Sequence, residues 1–235
     1  MPVSAHPGAH GATCCVGLAI ETIALGHTYG RSGAPVLCDV NLGLEFGRIT
    51  ALWGPSGSGK STLLSLLGLL MAPTAGSVTV AGHSAWTSPR ATGRMRSSLF
   101  AWVLQNSACL EARTAVDNVA MGVLAEGASR PDAVQKATAA LQTVGLAERA
   151  RARAVDLSGG ELQRMTVARA LTQNKPIVLA DEPTGQLDAS SSATVADAFR
   201  ELARAGRCVV VATHDYTVAD RCDLVVAVGT KPVKT

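Results

Sequence analysis

The segment Gly54-Pro55-Ser56-Gly57-Ser58-Gly59-Lys60-Ser61-Thr62 has the spacing G-x-x-x-x-G-K-[ST]. Glycines let a backbone wrap a phosphate with its N–H groups turned inward, where side chains would block the approach. Lys60 supplies a fixed charge for β- and γ-phosphates, and the Ser61 hydroxyl is placed to ligate Mg²⁺. A second constellation, Asp181-Glu182, follows the apolar run Ile177-Val178-Leu179-Ala180. Two carboxylates at the carboxyl end of a buried strand sit on the rim where open α/β sheets bind ligands. Asp181 fits an acid on the Mg²⁺ side, and Glu182, across the pleat, fits a general base polarising water. In the third, Leu157-Ser158-Gly159-Gly160-Glu161-Leu162-Gln163-Arg164, a Ser and two Gly stand at a helix start, which makes an anion cradle without a lysine. A phosphate loop alone serves kinases, GTPases and many other NTPases, so it implies nucleotide binding without saying how the nucleotide is used.

These residues need a scaffold, and the hydrophobic pattern supplies one. Short apolar runs broken by turns such as GHTYGRSGAP predict antiparallel strands from Val16 to Phe46. Ile49–Trp53 reads as a strand ahead of the phosphate loop, and KSTLLSLLGLL behind it as a buried helix. Strands follow at Ser77–Val80 and Leu99–Leu104, the second leading to Gln105. From Thr114 to Val155 the composition turns to Ala, Glu, Gln, Arg and Val at helical spacing, interrupted at Gly127–Pro131 and Gly145. Strand character returns at Ile177–Ala180 and Cys208–Ala212, with helices at Glu161–Leu171 and Ser191–Ala205. Strands alternating with helices predict a mainly parallel sheet covered on both faces.

Composition narrows the class. A chain of 235 residues with 47% hydrophobic and 17% charged residues can bury a core without disulfides, and is too apolar for a disordered chain. A net charge of +3 gives no dense basic stripe, so no nucleic-acid partner is expected. No apolar run reaches the roughly 18–20 residues of a membrane span. MPVSAHPGAHGATCC lacks the parts of a signal peptide, which predicts a cytoplasmic address. The six cysteines show no C-x-x-C spacing and read as small packing residues, although His6, His10, Cys14 and Cys15 are ligand types that could hold a soft metal. Arg149, Arg151 and Arg153 alternate with Ala and read as a solvated surface.

Residues 157–164 resemble the signature motif of ATP-binding cassette (ABC) ATPases. The order Tyr29, phosphate loop, Gln105, signature, Asp181-Glu182, Asp188, His214 is similar to that family's full set, over about Val16 to Val228. The resemblance implies a P-loop NTPase (RecA-like) parallel-sheet core, an antiparallel β subdomain and an inserted α-helical subdomain. The implied division is a tail at 1–15, an ATPase domain at 16–228 and a tail at 229–235. Within the domain, 16–104 and 166–228 form the nucleotide-binding core and 105–165 the helical subdomain carrying the signature. By the same resemblance Tyr29 stacks on adenine, and Gln105 contacts Mg²⁺ or the lytic water. His214 holds the γ-phosphate and the water's geometry, and Asp188 belongs to the D-loop. Lys60, Gln105, Glu182 and His214 form the catalytic set. Gly54 to Thr62, Tyr29, Ser158, Gly159, Gly160 and Asp188 bind ATP, and Ser61, Gln105 and Asp181 hold Mg²⁺.

The resemblance also accounts for two cradles in one chain. In a head-to-tail homodimer each phosphate loop would face the partner's Ser158/Gly160 cradle, ATP acting as glue until hydrolysis opens the pair. Opening and closing would drive separate integral membrane permease subunits, leaving this chain peripheral on the inner face of the cell membrane. The Glu161 signature variant, Ala180-Asp181-Glu182-Pro183-Thr184-Gly185 and Arg113–Val119 resemble the branch of macrolide exporters and lipoprotein-release complexes. That implies export or extraction of a lipophilic, peptide, haem or lipoprotein cargo. The alternative is a coupling ATPase that signals through a membrane protein to cell-wall enzymes, as in the cell-division branch. Two positions depart from the family: Gln186 replaces the usual Asn of the D-loop, and Asn106–Ala112 differs where a membrane partner should dock.

Overall fold

A computed structural model describes residues 17–30, 33–105 and 109–229. The His6, His10, Cys14 and Cys15 group lies outside the described residues. Strands β1 (Leu18–Thr28) and β2 (Pro35–Glu45) pair antiparallel, as their turn-separated alternation predicts. β3 (Ile49–Trp53) runs into the phosphate loop, and α1 (Lys60–Leu67) leaves it. β4 (Ala75–Val80) and β5 (His83–Ser84) complete a four-stranded sheet of order β2-β1-β4-β5. Helix α2 (Pro89–Leu99) leads into β6 (Phe100–Val103). A helical block follows: α3 (Ala115–Ala125), α4 (Arg130–Thr143) and α5 (Gly159–Thr172). The chain then returns through β7 (Ile177–Asp181), α6 (Ala189–Arg204), β8 (Cys208–Thr213), α7 (Tyr216–Ala219) and β9 (Leu224–Ala227).

The second sheet has the order β6-β7-β8-β3-β9, with every pairing parallel. Its central strands are apolar throughout because both faces are covered. Side chains alternate across a strand, so each strand feeds two cores. Val178, Ala180, Val209 and Val211 point to the side lined by α3 to α6. Ile177, Leu179, Cys208, Val210 and Ala212 point to α1 and the antiparallel sheet. Burial pushes the Cys208 and Cys222 thiols up to about 12, as suits packing residues rather than reactive ones.

The helical block is built from small residues. Ala120, Ala133, Ala137, Ala140 and Ala168 are buried there, letting α3, α4 and α5 approach closely. Thr114, Ser129, Ser158 and Asp188 each cap a helix with the side-chain oxygen accepting a backbone N–H. The interruptions expected at Gly127 and Gly145 fall just past α3 and α4, where both glycines take the left-handed conformation (φ 89° and 69°) that ends helices. Several elements differ from the sequence pattern. The strand expected at Leu99–Leu104 spans only Phe100–Val103, because Leu99 ends α2. α5 starts at Gly159, two residues ahead of the apolar spacing, because Ser158 caps it. Helix α2, the single turn α7 and the edge strand β9 lie at the margin of the core: α2 buries only Thr92 and β9 only Val226.

Candidate functional site

The phosphate loop is shaped by its glycines. Gly57 and Gly59 take φ of 78° and 98°, a region in which an L side chain is strained. A Cβ on Gly54 would lie 2.5 Å from the carbonyl oxygen of Val228 and 2.6 Å from Ser58 Oγ, so the end of β9 walls the loop. Gly59 caps α1 without a side-chain hydrogen bond. The first N–H groups of α1 therefore remain available to an anion, at the positive end of the helix dipole. Lys60 is buried, and its ammonium donates to the carbonyls of Gly54 (2.8 Å) and Pro55 (3.1 Å). It also lies 3.5 Å from Glu182 Oε1.

The acidic pair is where β7 should place it. Ser61 Oγ donates to Asp181 Oδ1 at 3.1 Å, joining the loop to the end of the strand. Burial holds the Asp181 carboxyl above its ordinary pKa, opposed by the Ser61 hydrogen bond. Glu182 continues the ladder by donating its N–H to Ala212 (2.9 Å), then turns sharply with φ of 45°. Nδ1 of His214 lies 3.0 Å from Glu182 Oε1 and 2.9 Å from Oε2. Tyr29 is half exposed at the cleft edge, its hydroxyl 3.0 Å from Thr62 Oγ1.

Tyr29, Gln105, Glu182 and His214 thus line one cleft of about 620 Å³ together with Pro55, Ser56, Gly57, Gly59, Lys60, Ser61 and Thr62. The oxygens of Ser61 and Gln105 in the cleft, with Asp181 bonded to Ser61, suit a hard cation completed by phosphate oxygens, which is how Mg²⁺ is usually held. Mg²⁺ bound there would keep waters and take phosphate oxygens beside these few protein ligands.

Ser158, Gly160 and Asp188 are not in that cleft. They line a separate pocket with Glu161, Arg164, Gln186, Leu187 and Ser191. Ser158 and Glu161 form a reciprocal capping box: Ser158 N–H donates to Glu161 Oε2 (2.8 Å) and Glu161 N–H to Ser158 Oγ (3.3 Å). The bond from the Ser158 amide is the main reason the Glu161 carboxyl is held below its ordinary pKa, with Arg149 adding to it. Arg149 Nε lies 3.0 Å from Glu161 Oε1. The arginine alternation therefore hides a division: Arg151 and Arg153 are exposed, whereas Arg149 is half-buried and steadies the signature turn. Asp188 caps α6 by accepting from Ser191 N–H (2.7 Å). A Cβ on Gly159 would lie 2.4 Å from Gln186 Oε1, so the departure at Gln186 packs on the signature glycine of its own chain.

One further residue joins the two pockets. Gln163, buried on α5, donates through Nε2 to the carbonyl of Glu182 (2.5 Å) and accepts through Oε1 from the N–H of Gln186 (3.1 Å). In the sequence it falls inside the signature segment Leu157 to Arg164, four residues after Gly159, but nothing there identifies Glu182 and Gln186 as its partners.

The chain matches the family described as ABC transporter over residues 37–185. It is 45% identical over 195 residues to the lipoprotein-releasing system ATP-binding protein LolD of Anaeromyxobacter dehalogenans, covering 82% of each chain. It is 40% identical over 191 residues to the macrolide export ATP-binding/permease protein MacB of Burkholderia pseudomallei, covering 81% of this chain and 29% of that longer protein. Among solved structures, the ATP-binding cassette MJ0796, in a dimeric post-hydrolysis state bound to ADP and Pi, superposes with a TM-score of 0.85 at 30% identity. That match covers 92% of this chain and 97% of the other.

Proposed function

Because the chain belongs to the ABC transporter family, it is an ATP-binding and ATP-hydrolysing transport subunit, and we propose that two copies share each catalytic site across their interface. The observation that carries this is the separation of its two anion cradles. The Lys60 cleft is lined by Glu182 and His214, with Asp181 bonded to its Ser61, while the Ser158 cradle lies in another pocket of the same chain with no lysine of its own. The dimeric, product-bound cassette MJ0796 supports the same arrangement. One chain supplies the phosphate loop and Tyr29, and its partner closes the γ-phosphate with Ser158, Gly159 and Gly160.

In that pocket Lys60 exchanges its bonds to Gly54 and Pro55 for β- and γ-phosphate oxygens. Ser61, Asp181 and Gln105 would hold Mg²⁺, which supplies charge neutralisation at those oxygens. Glu182 accepts the proton of the attacking water as that oxygen bonds to phosphorus and the bond to the ADP oxygen breaks. His214, bonded to Glu182 through Nδ1, orients the carboxylate and reaches the γ-phosphate side. The nucleotide-binding core is 16–104 with 166–228 and the helical subdomain 105–165, α5 straddling the division.

No described helix is long and apolar enough to cross a membrane. In this reading the work of the cycle is delivered to integral membrane permease subunits, to which the chain attaches peripherally. Its similarity to a lipoprotein-releasing ATPase and a macrolide exporter supports extraction or export of a lipophilic cargo. The test is assembly. Glu182→Gln should elute as a dimer with MgATP and as a monomer with MgADP, and adding Lys60→Ala should abolish the dimer by removing nucleotide affinity. A Glu182→Gln chain that stays monomeric at saturating MgATP would refute the shared site.

A further inference from the structure

We propose that Gln163 is a positioning residue for hydrolysis, fixing the backbone from which Glu182 presents its carboxylate. The proposal rests on the reading of Glu182 as the general base. Glu182 is one of five residues other than glycine with positive φ among those described, and it stands at the start of the acidic turn. A glutamate gains nothing locally from φ of 45°, so neighbouring bonds must hold it there. On its amino side the hold is the Ala212 carbonyl, part of the sheet. On its carboxyl side the Glu182 carbonyl accepts from Gln163 Nε2 at 2.5 Å and from Gly185 N–H at 3.2 Å.

The other end of the same amide binds Gln186 N–H at 3.1 Å. One planar group thus spans the turn from Glu182 to Gln186, meeting a backbone acceptor with its donor and a backbone donor with its acceptor. That requirement selects glutamine: leucine offers neither atom, and an ionised glutamate keeps the acceptor but loses the donor. Gln163 is 3% exposed, so water does not replace a missing partner there, and the turn must relax to find one. Gln163 does not line the nucleotide cleft, and its amide bonds Glu182 and Gln186 rather than the phosphate loop. Its loss should therefore be felt by the base and not by nucleotide binding to the phosphate loop of the monomer.

The experiment uses the full chain with MgATP. Gln163→Leu should lower kcat by about 10- to 100-fold, the scale of a small misplacement of a reacting group, with KM and fluorescent-nucleotide affinity within about three-fold of wild type. Gln163→Glu, which preserves size and the bond to Gln186, should lose kcat in the same way and decides the matter if the leucine variant does not fold. Because Gln163 acts through Glu182, the double variant Gln163→Leu/Glu182→Gln should hydrolyse as slowly as Glu182→Gln alone, within about two-fold. Losses that multiply, a loss carried by KM, or a kcat within about three-fold of wild type in a folded variant would overturn the proposal. Wild-type hydrolysis by Glu182→Gln would instead reject the base itself. Impairment by Glu182→Gln alone, with Gln163 variants at full rate, would reject only this inference.

Discussion

The left-handed backbone at Glu182 can be measured by removing its side chain in two ways. Glu182→Ala and Glu182→Gly both delete the carboxylate, with its contacts to Lys60 and His214, and differ only in the Cβ. At an ordinary position glycine is the worse of the pair by about 0.5–1 kcal/mol, because it loses more freedom on folding. At φ of 45° a Cβ costs on the order of 1–2 kcal/mol, since it crowds the following carbonyl. Crowding outweighs the lost freedom, so the usual order reverses. The glycine variant should be more stable than the alanine variant by about 0.5–1 kcal/mol, or roughly 1–4 °C in Tm for a chain of this size. Equilibrium urea unfolding in matched buffers, without added nucleotide, gives the difference directly, and both variants should have lost hydrolysis. An alanine variant as stable as the glycine variant would refute the claim that this turn is strained.

Other consequences are open to direct measurement. Ser158→Arg fills the cradle a partner would use while leaving the phosphate loop intact, so nucleotide binding by the monomer should stay within about three-fold of wild type while steady-state ATPase falls at least ten-fold. Glu161 has a folded-state pKa below its unfolded value, so its contribution is full above about pH 4.5 and is lost as pH falls through the folded pKa. Glu161→Gln keeps an acceptor for the Ser158 amide but not the charge. Its stability deficit, about 0.3–1 kcal/mol near neutral pH, should vanish in acid urea titrations, and a deficit that grows below pH 4 would contradict the assignment.

How far the residues could be read depends on how local their contacts are. The phosphate loop, Asp181 and Glu182 declare themselves because strand, turn and helix signals bracket them within a few residues. The central strands are legible for a related reason: they are apolar on both sides and end at polar turns. Gln163 and Arg149 escape such a reading because their partners, Glu182 with Gln186 and Glu161, are set by how α5 lands on the rest of the chain. Arg149 even falls within an alternation that looks wholly exposed. Sequence order also cannot tell that Asp188 shares a pocket with Ser158 rather than with Lys60, because the turn after β7 decides it. Helix α2 buries only Thr92 outright, with Met95 and Leu99 at the core margin, and the short apolar run of β9 does not by itself say which neighbour it pairs with.

The two linings of the parallel sheet bear on how such a chain diversifies. Residues 178, 180, 209 and 211 share a core with helices α3 to α7, while 177, 179, 208, 210 and 212 share one with α1 and the antiparallel strands. Drift among the helices that leaves Gln163 in place can be absorbed on their own side without disturbing the side chains behind the phosphate loop. A motor divided in this way can be refitted to new machinery while its engine is left alone.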